Sequence, residues 1–125
     1  FIHNIIKQCI KANIDVSLFI DPDLKQINEV LALDANIVEL HTGEYCNTNH
    51  KSIELKRIKK AVNFAVDKGI EVHAGHGLNF ENVKEIAKIN NIKELNIGHF
   101  LIGESIFMGL EKVIKKMRNI IDSSK

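Results

Sequence analysis

The sequence is poor in several residues that mark particular protein classes: it has no tryptophan, one tyrosine, one proline and two cysteines. Cys9 and Cys46 stand far apart without a CxxC or CxxH spacing, which argues against a disulfide framework and favours a reducing cytosol. No apolar run approaches the roughly 20 residues that cross a bilayer, and no signal-peptide pattern opens the chain. We therefore predict a cytoplasmic protein without a membrane partner.

Charge of one sign is also scarce, because the 17 basic and 16 acidic residues form no single-sign block. Together with the few aromatic residues, this balance argues against a nucleic-acid partner. The chain has 125 residues, 45% apolar and 26% charged, which is typical of one globular domain. Small molecules or other protein subunits are the expected partners.

Hydrophobic periodicity predicts one helix followed by four strand-helix units. The predicted strands cover residues 14–21, 36–42, 70–75 and 93–98. The predicted helices cover residues 2–12, 22–34, 53–69, 81–91 and 110–121, and a polar loop covers 43–52. Because the chain opens on Phe1 in what reads as the middle of a helix, we expect a fragment of a longer protein.

Alternating strands and helices predict an α/β fold with a parallel sheet, either half of a (β/α)₈ barrel or a small doubly wound sheet. Strand alternation places one polar or mixed set of side chains on a single face: Ser17, Phe19, Asp21, Glu39, His41, Glu71, His73, Glu94 and Asn96. A doubly wound sheet should be apolar on both faces, whereas a barrel lumen that opens onto an active site explains a polar one. Solvation of edge strands is the competing interpretation.

The reactive residues of a barrel stand at the carboxyl ends of its strands, and the loops after the last two strands often hold phosphate. Here those positions carry Asp21, Glu39, His41, Thr42, Gly75, His76, Gly77, Gly98 and His99. The turns "AGHGLN" and "NIGH" bear the glycines, which allow positive φ and close approach of a ligand to backbone N–H groups before a helix. We predict an anion pocket from which the His76 ring projects to give or take a proton.

Each candidate has a structural alternative. "AGHGLN" can be a plain turn, His99 a helix cap, Glu39 an edge residue, and His50 a solvated loop residue. His41 and His73 can be core histidines bonded to backbone. A metal site from His41, His73 and His76 is disfavoured, because side chains alternate in direction along this strand-to-loop step.

Four phrases taken together, "VSLFIDPD", "ELHTGEY", "AGHGLNFENV" and "ELNIGHFLIGESIFMGLEKVIKKM", resemble the second half of the pyridoxine 5′-phosphate synthase family. The resemblance covers nearly the whole chain, in order. It implies a (β/α)₈ TIM barrel with additional helices, of which this chain is the last four βα units preceded by a helix. Residues 1–125 would then be the C-terminal half of a single TIM-barrel domain whose N-terminal half is absent.

The resemblance also implies a reaction, in which 3-amino-2-oxopropyl phosphate condenses with 1-deoxy-D-xylulose 5-phosphate to give pyridoxine 5′-phosphate, phosphate and water. By position, His76 matches the proton donor and Glu39 the residue that stabilises the transition state. Gly77, Gly98 and His99 match substrate-binding positions. No metal or organic cofactor is implied, and the full-length chain is expected to form a homo-oligomer.

Two other functions stay open. Another TIM-barrel lyase or isomerase with a phosphorylated substrate would share the glycine turns, although no strand end offers the lysine of a Schiff-base aldolase. A non-catalytic half-barrel would bind a substrate phosphate without turnover. We expect the fragment alone to be inactive, because the family's other acid and base groups lie in the missing half. We also expect it to be poorly soluble, because four parallel strands cut from a barrel expose two edges and a half-open lumen.

Overall fold

The computed structural model describes residues 1–124 and contains four strands and seven helices within them. In chain order they are α1 Ile2–Lys11, β1 Ser17–Ile20, α2 Leu24–Ala32, β2 Ile37–His41, α3 Gly43–Asn47, α4 Lys51–Asp67, β3 Glu71–Gly75, α5 Val83–Ala87, β4 Ile92–Asn96, α6 His99–Met108 and α7 Leu110–Asp122. No helix in this part of the chain is both long and apolar enough to span a membrane.

The strands form one sheet in the order β1-β2-β3-β4, and every neighbouring pair is parallel. The predicted α/β class with a parallel sheet is therefore confirmed. Each strand lies beside the strand that follows it along the chain, whereas doubly wound sheets reverse their order partway across. All four carboxyl ends consequently meet at one edge of the sheet.

The two faces of the sheet differ in polarity. One face carries Leu18, Val38, Leu40, Val72 and Ala74, and it packs with residues of the helices into a single apolar core. The opposite face has a transverse row in which Phe19, Glu39, His73 and Glu94 are register partners. The polar row crosses both interior strands, so solvation of edge strands does not explain it, and Glu39 is not an edge residue.

The polar segment 43–52 differs from its prediction as a loop, since its first five residues form α3. Tyr45 anchors this short helix: its ring is buried, and its hydroxyl donates a hydrogen bond to the carbonyl oxygen of Asn82 at 2.9 Å. A helix was predicted over residues 81–91, but the observed helix α5 is shorter and covers only Val83–Ala87. The segment that follows β4 forms α6, which has no buried residue.

The end of β1 is fixed by the start of α2. Asp23 is the N-cap of α2, and its carboxylate accepts hydrogen bonds from the N–H groups of Lys25 and Gln26. Pro22 therefore precedes the helix instead of starting it. The backbone N–H of Asp21 donates to Oε1 of Gln26 at 3.0 Å, which holds Asp21 at the carboxyl end of β1.

Candidate active site

A cleft of about 740 Å³ opens at the carboxyl ends of the strands, within the size range of small-molecule sites. Its lining includes all five predicted site residues: Glu39, His76, Gly77, Gly98 and His99. Phe19, Asn79, Asn96 and Phe100 also line it. Residues that are far apart in the sequence are thus brought together at the edge where the strand-end rule placed them.

The β3 turn, residues 75–77, is held in an unusual backbone conformation. His76 has φ +77° and Gly77 has φ +81°, and a non-glycine residue in this region is strained. Thr42 supports the turn, because its buried hydroxyl lies 2.8 Å from the carbonyl oxygen of Gly75 and 2.7 Å from that of His76. Nδ2 of Asn82 donates to the carbonyl oxygen of Gly77 at 3.2 Å. These contacts fix the backbone from which the His76 ring projects.

Gly77 adopts the positive φ predicted for the glycines of this turn. Crowding by neighbouring atoms is a second reason for glycine here. A Cβ atom at Gly77 would lie 3.1 Å from both Cβ and Sγ of Cys46. A Cβ atom at Gly75 would overlap Oε1 of Glu39 and lie 2.7 Å from the carbonyl oxygen of Asn96. The bare backbone at Gly75 therefore leaves the space that the Glu39 carboxylate occupies.

Glu39 has one partner that the sequence did not identify. Nδ2 of Asn96 donates a hydrogen bond to Oε2 of Glu39 at 2.9 Å, from β4 across β3 to β2. Asn96 belongs to the predicted polar face, but nothing in its local sequence pointed to this contact. The bond leaves Oε1 of the carboxylate near Gly75 and orients the side chain in the cleft.

The histidines of β2 and β3 face carboxylates, not the backbone groups considered as an alternative. Nε2 of His73 lies 2.9 Å from Oε1 of Glu71, and Nδ1 of His41 lies 3.7 Å from Oδ1 of Asp21. Both partners are carboxylates. Within residues 1–124, no group of three histidine, cysteine, aspartate or glutamate side chains is placed to hold a metal ion.

The β4 turn, residues 97–99, leads directly into α6. Gly98 is the N-cap residue with φ −107°, so this glycine does not adopt positive φ. Gly98 occupies the N-cap position and His99 is the first residue of the helix, so His99 is not the N-cap residue. The first bond of the helix runs from the N–H of Ile102 to the carbonyl oxygen of Gly98, so earlier N–H groups can point at a ligand.

The helix-start argument applies to only one of the two glycine turns. After β3, α5 begins at Val83, well beyond the β3 turn, and this five-residue helix brings no dipole to His76. At the β4 turn, by contrast, α6 starts at His99 and its N-terminus faces the cleft. The two turns are therefore suited to different tasks.

Charge in the cleft comes from few groups. No lysine or arginine is among the residues 1–124 that line it, so an anion there would meet histidine side chains and backbone N–H groups. Behind the β3 turn, burial raises the pKa of the Cys46 thiol and that of the Tyr45 hydroxyl. Both groups are therefore neutral around pH 7.

A parallel α/β sheet with histidine, carboxylate and glycine turns at its carboxyl ends defines a class of proteins that bind small ligands at that edge. Comparison with known families is more specific. The family model described as pyridoxal phosphate biosynthesis protein PdxJ matches residues 1–123. The chain belongs to this family.

Curated relatives agree with the assignment. The chain is 50% identical over 123 residues to a pyridoxine 5′-phosphate synthase of Sulfurihydrogenibium sp., covering 97% of the chain and 51% of the relative. It is 52% identical over 123 residues to the synthase of Zymomonas mobilis, covering 97% of the chain and 48% of that relative. The resemblance inferred from the sequence motifs is confirmed, and the chain spans about half the length of the relatives it matches.

Proposed function

We propose that this chain is the C-terminal half of a pyridoxine 5′-phosphate synthase. The full-length protein would condense 3-amino-2-oxopropyl phosphate with 1-deoxy-D-xylulose 5-phosphate to give pyridoxine 5′-phosphate, phosphate and water. The observation that carries the proposal is the cleft itself, in a chain that matches this family over residues 1–123. Glu39, His76 and both glycine turns line this cleft at one edge of the sheet.

We propose that the whole domain is a (β/α)₈ TIM barrel. Three features support this architecture: the consecutive parallel strand order, a polar face opposite the helix-covered face, and relatives about twice as long. Apolar residues stay exposed on α1 and beside the edge of β4, among them Ile2, Ile5, Ile10 and Ile114. An N-terminal half that closed the barrel would cover such surfaces.

The chemistry requires several proton transfers, since an imine must form, water and phosphate must leave, and a carbon–carbon bond must close the ring. In the proposed mechanism His76 donates the proton to a departing oxygen, a role that typically contributes about 10² to 10⁴ in rate. Glu39, oriented by Asn96, would stabilise the cationic imine-derived states electrostatically. Both residues would act on substrate that lies in the cleft.

Phosphate binding is assigned to the glycine turns. Gly98 and His99 would hold the phosphate of 3-amino-2-oxopropyl phosphate at the N-terminus of α6, and Gly77 would contact the same substrate from the β3 turn. No lysine or arginine from residues 1–124 lines the cleft. Further neutralising charge would therefore come from the missing half, where the family's arginine contact lies.

Ring closure by the full-length protein tests the function. Purified protein is mixed with both substrates, pyridoxine 5′-phosphate is measured by its absorbance, and phosphate release is followed by ³¹P NMR. Equal amounts of the two products are expected. Turnover of a single phosphorylated substrate would instead show a lyase or isomerase, and saturable binding of either substrate without any product would show a non-catalytic module.

We further propose that the full-length protein is a cytoplasmic homo-oligomer and that residues 1–125 alone are inactive, because the cleft lacks the acid and base groups of the other half. Sedimentation of the full-length protein tests assembly. Mixing the separately produced halves tests the second point: activity should require both, and product formation by residues 1–125 alone would contradict it.

A further inference from the structure

Three aromatic rings meet at the carboxyl ends of neighbouring strands. The ring of His41, at the end of β2, lies against the ring of His76 with centroids 4.6 Å apart and planes inclined by 34°. Phe19 of β1 meets His41 edge-on at 5.2 Å. His41 therefore contacts both other rings.

Phe19 lies farther from His76, with ring centroids 6.4 Å apart, and little else orients the His76 ring. Its side chain is exposed, and within residues 1–124 no side chain or backbone group makes a hydrogen bond to its ring nitrogens. The backbone of His76 is fixed by Thr42, but the side-chain torsions are not. A group that transfers a proton must be held in a productive orientation, and the face of the His41 ring supplies the nearest support.

His41 is itself held in place. Its Nδ1 faces the Asp21 carboxylate at 3.7 Å, and Asp21 is tied to the start of α2 through Gln26. A Cβ atom at Gly43 would lie 2.6 Å from Cε1 of His41 and 3.1 Å from Cδ2 of His76. Glycine at this position thus leaves room for the two rings to lie together.

We propose that His41 is a positioning residue that holds the His76 imidazole in its reactive orientation by packing against the face of that ring. The proposal rests on the proposed function of His76 as a proton donor. At this separation and inclination the rings present faces to each other, so the support is packing, not a hydrogen-bonded relay. Loss of His41 should therefore lower kcat and leave KM nearly unchanged.

The kinetic test uses the full-length protein with His41→Leu, which removes the ring, and His41→Phe, which keeps a ring face without nitrogen atoms. Loss of the stabilising energy of one aromatic pair corresponds to about a two- to tenfold fall in kcat, which we expect for His41→Leu. KM should stay within about twofold, and His41→Phe should recover most of the rate. His73→Leu is the matched control, because His73 lies on the same sheet face but contacts Glu71.

A second readout does not depend on turnover. In protein with ¹³C-labelled histidine, the imidazole resonances of His76 should carry a ring-current shift that His41→Leu reduces to the smaller contribution of Phe19 and that His41→Phe restores. Unchanged kcat and resonances in His41→Leu, or a His41→Phe variant as slow as His41→Leu, would overturn the proposal. If the unaltered protein forms no product, the proposed function fails and the NMR result alone decides the ring contact. If His41→Leu does not fold, His41→Gln replaces it with the same expectations.

Discussion

The β3 turn and the β4 turn both bring glycine and histidine to the cleft, but their surroundings differ. In the β3 turn, a Cβ atom at Gly75 or Gly77 would meet neighbouring atoms at 3.1 Å or less, and Thr42 binds two carbonyl oxygens. At Gly98 in the β4 turn, a Cβ atom would meet nothing within 4 Å.

This contrast separates two uses of glycine. Crowding in the β3 turn fixes a backbone and so aims a side chain, which suits an acid–base group. Open space in the β4 turn leaves the N-terminus of α6 accessible, which suits a bound anion. Substitutions in the two turns should therefore fail in different ways, the first in kcat and stability and the second in substrate binding.

The largest effect is expected for His76→Asn in the full-length protein. Asparagine tolerates positive φ better than most residues, so the turn should keep its shape while the proposed proton donor is lost. We expect kcat to fall by about 10² or more with little change in melting temperature, provided proton transfer limits the rate. Single-turnover ring closure and thermal unfolding on one preparation measure both quantities. A folded variant with a near-normal single-turnover rate would contradict the role of His76.

Alanine at Gly75 and at Gly98 forms a matched pair for stability. At Gly75 the added methyl group overlaps the Glu39 carboxylate, and we expect a loss of about 1–3 kcal/mol in the free energy of unfolding. At Gly98 the methyl group enters open space, so the change should stay within about 0.5 kcal/mol. Denaturant titration of both variants measures the difference, and equal losses would show that the two turns are not distinct.

Gly98→Val tests anion binding in the β4 turn. The larger side chain should obstruct the N–H groups at the start of α6 without disturbing the fold. Loss of one hydrogen bond to a charged group predicts about a tenfold rise in KM for 3-amino-2-oxopropyl phosphate. The KM for the second substrate serves as the internal control. An unchanged KM and unchanged inhibitor affinity would argue decisively against a phosphate site at Gly98 and His99.

The smallest effect concerns pH. Burial raises the pKa of Cys46, so the folded state favours the neutral thiol. The resulting contribution to the free energy of unfolding is present below the unfolded-state pKa of about 8.5. It is lost as pH rises through the higher folded-state pKa. The free energy of unfolding should therefore fall less between about pH 7.5 and about pH 9.5 in Cys46→Ser than in the unaltered protein.

Hydrophobic periodicity in the sequence predicted the four strands and the helices α1, α2, α4 and α7, because apolar residues recur along them at regular intervals. It could not predict α3, because the anchor of this helix is a bond from Tyr45 to a residue 37 positions away. It also could not place Ile92, because alternation alone puts it on the same face as Glu94. An irregularity in the pairing of β3 with β4 instead pairs Ile92 with Val72 and Glu94 with His73, which buries Ile92 in the core.

For the candidate site, too, the sequence predicted some features and not others. The strand-end rule predicted that Glu39 and His76 lie at one edge of the sheet, because the carboxyl ends of parallel strands share that edge, and both residues line the cleft there. The support of each residue was not predictable. Asn96 reaches Glu39 across 57 residues of sequence, and Thr42 reaches the β3 turn across 33 and 34. Such contacts depend on register and loop geometry, which hydrophobic periodicity does not specify.

The consecutive strand order has a consequence for how the protein is made on the ribosome. Each strand pairs with the one synthesised next, so β1 and β2 can associate before β3 emerges. Pairing of β3 with β2 must wait for α3 and α4, and it is this pairing that brings Thr42 to the β3 turn. We therefore expect nascent full-length chains to protect β1 and β2 from protease before β3 and β4, and to assemble the β3 turn later. Protection of β1 and β2 that appears only after β4 has emerged would contradict this order.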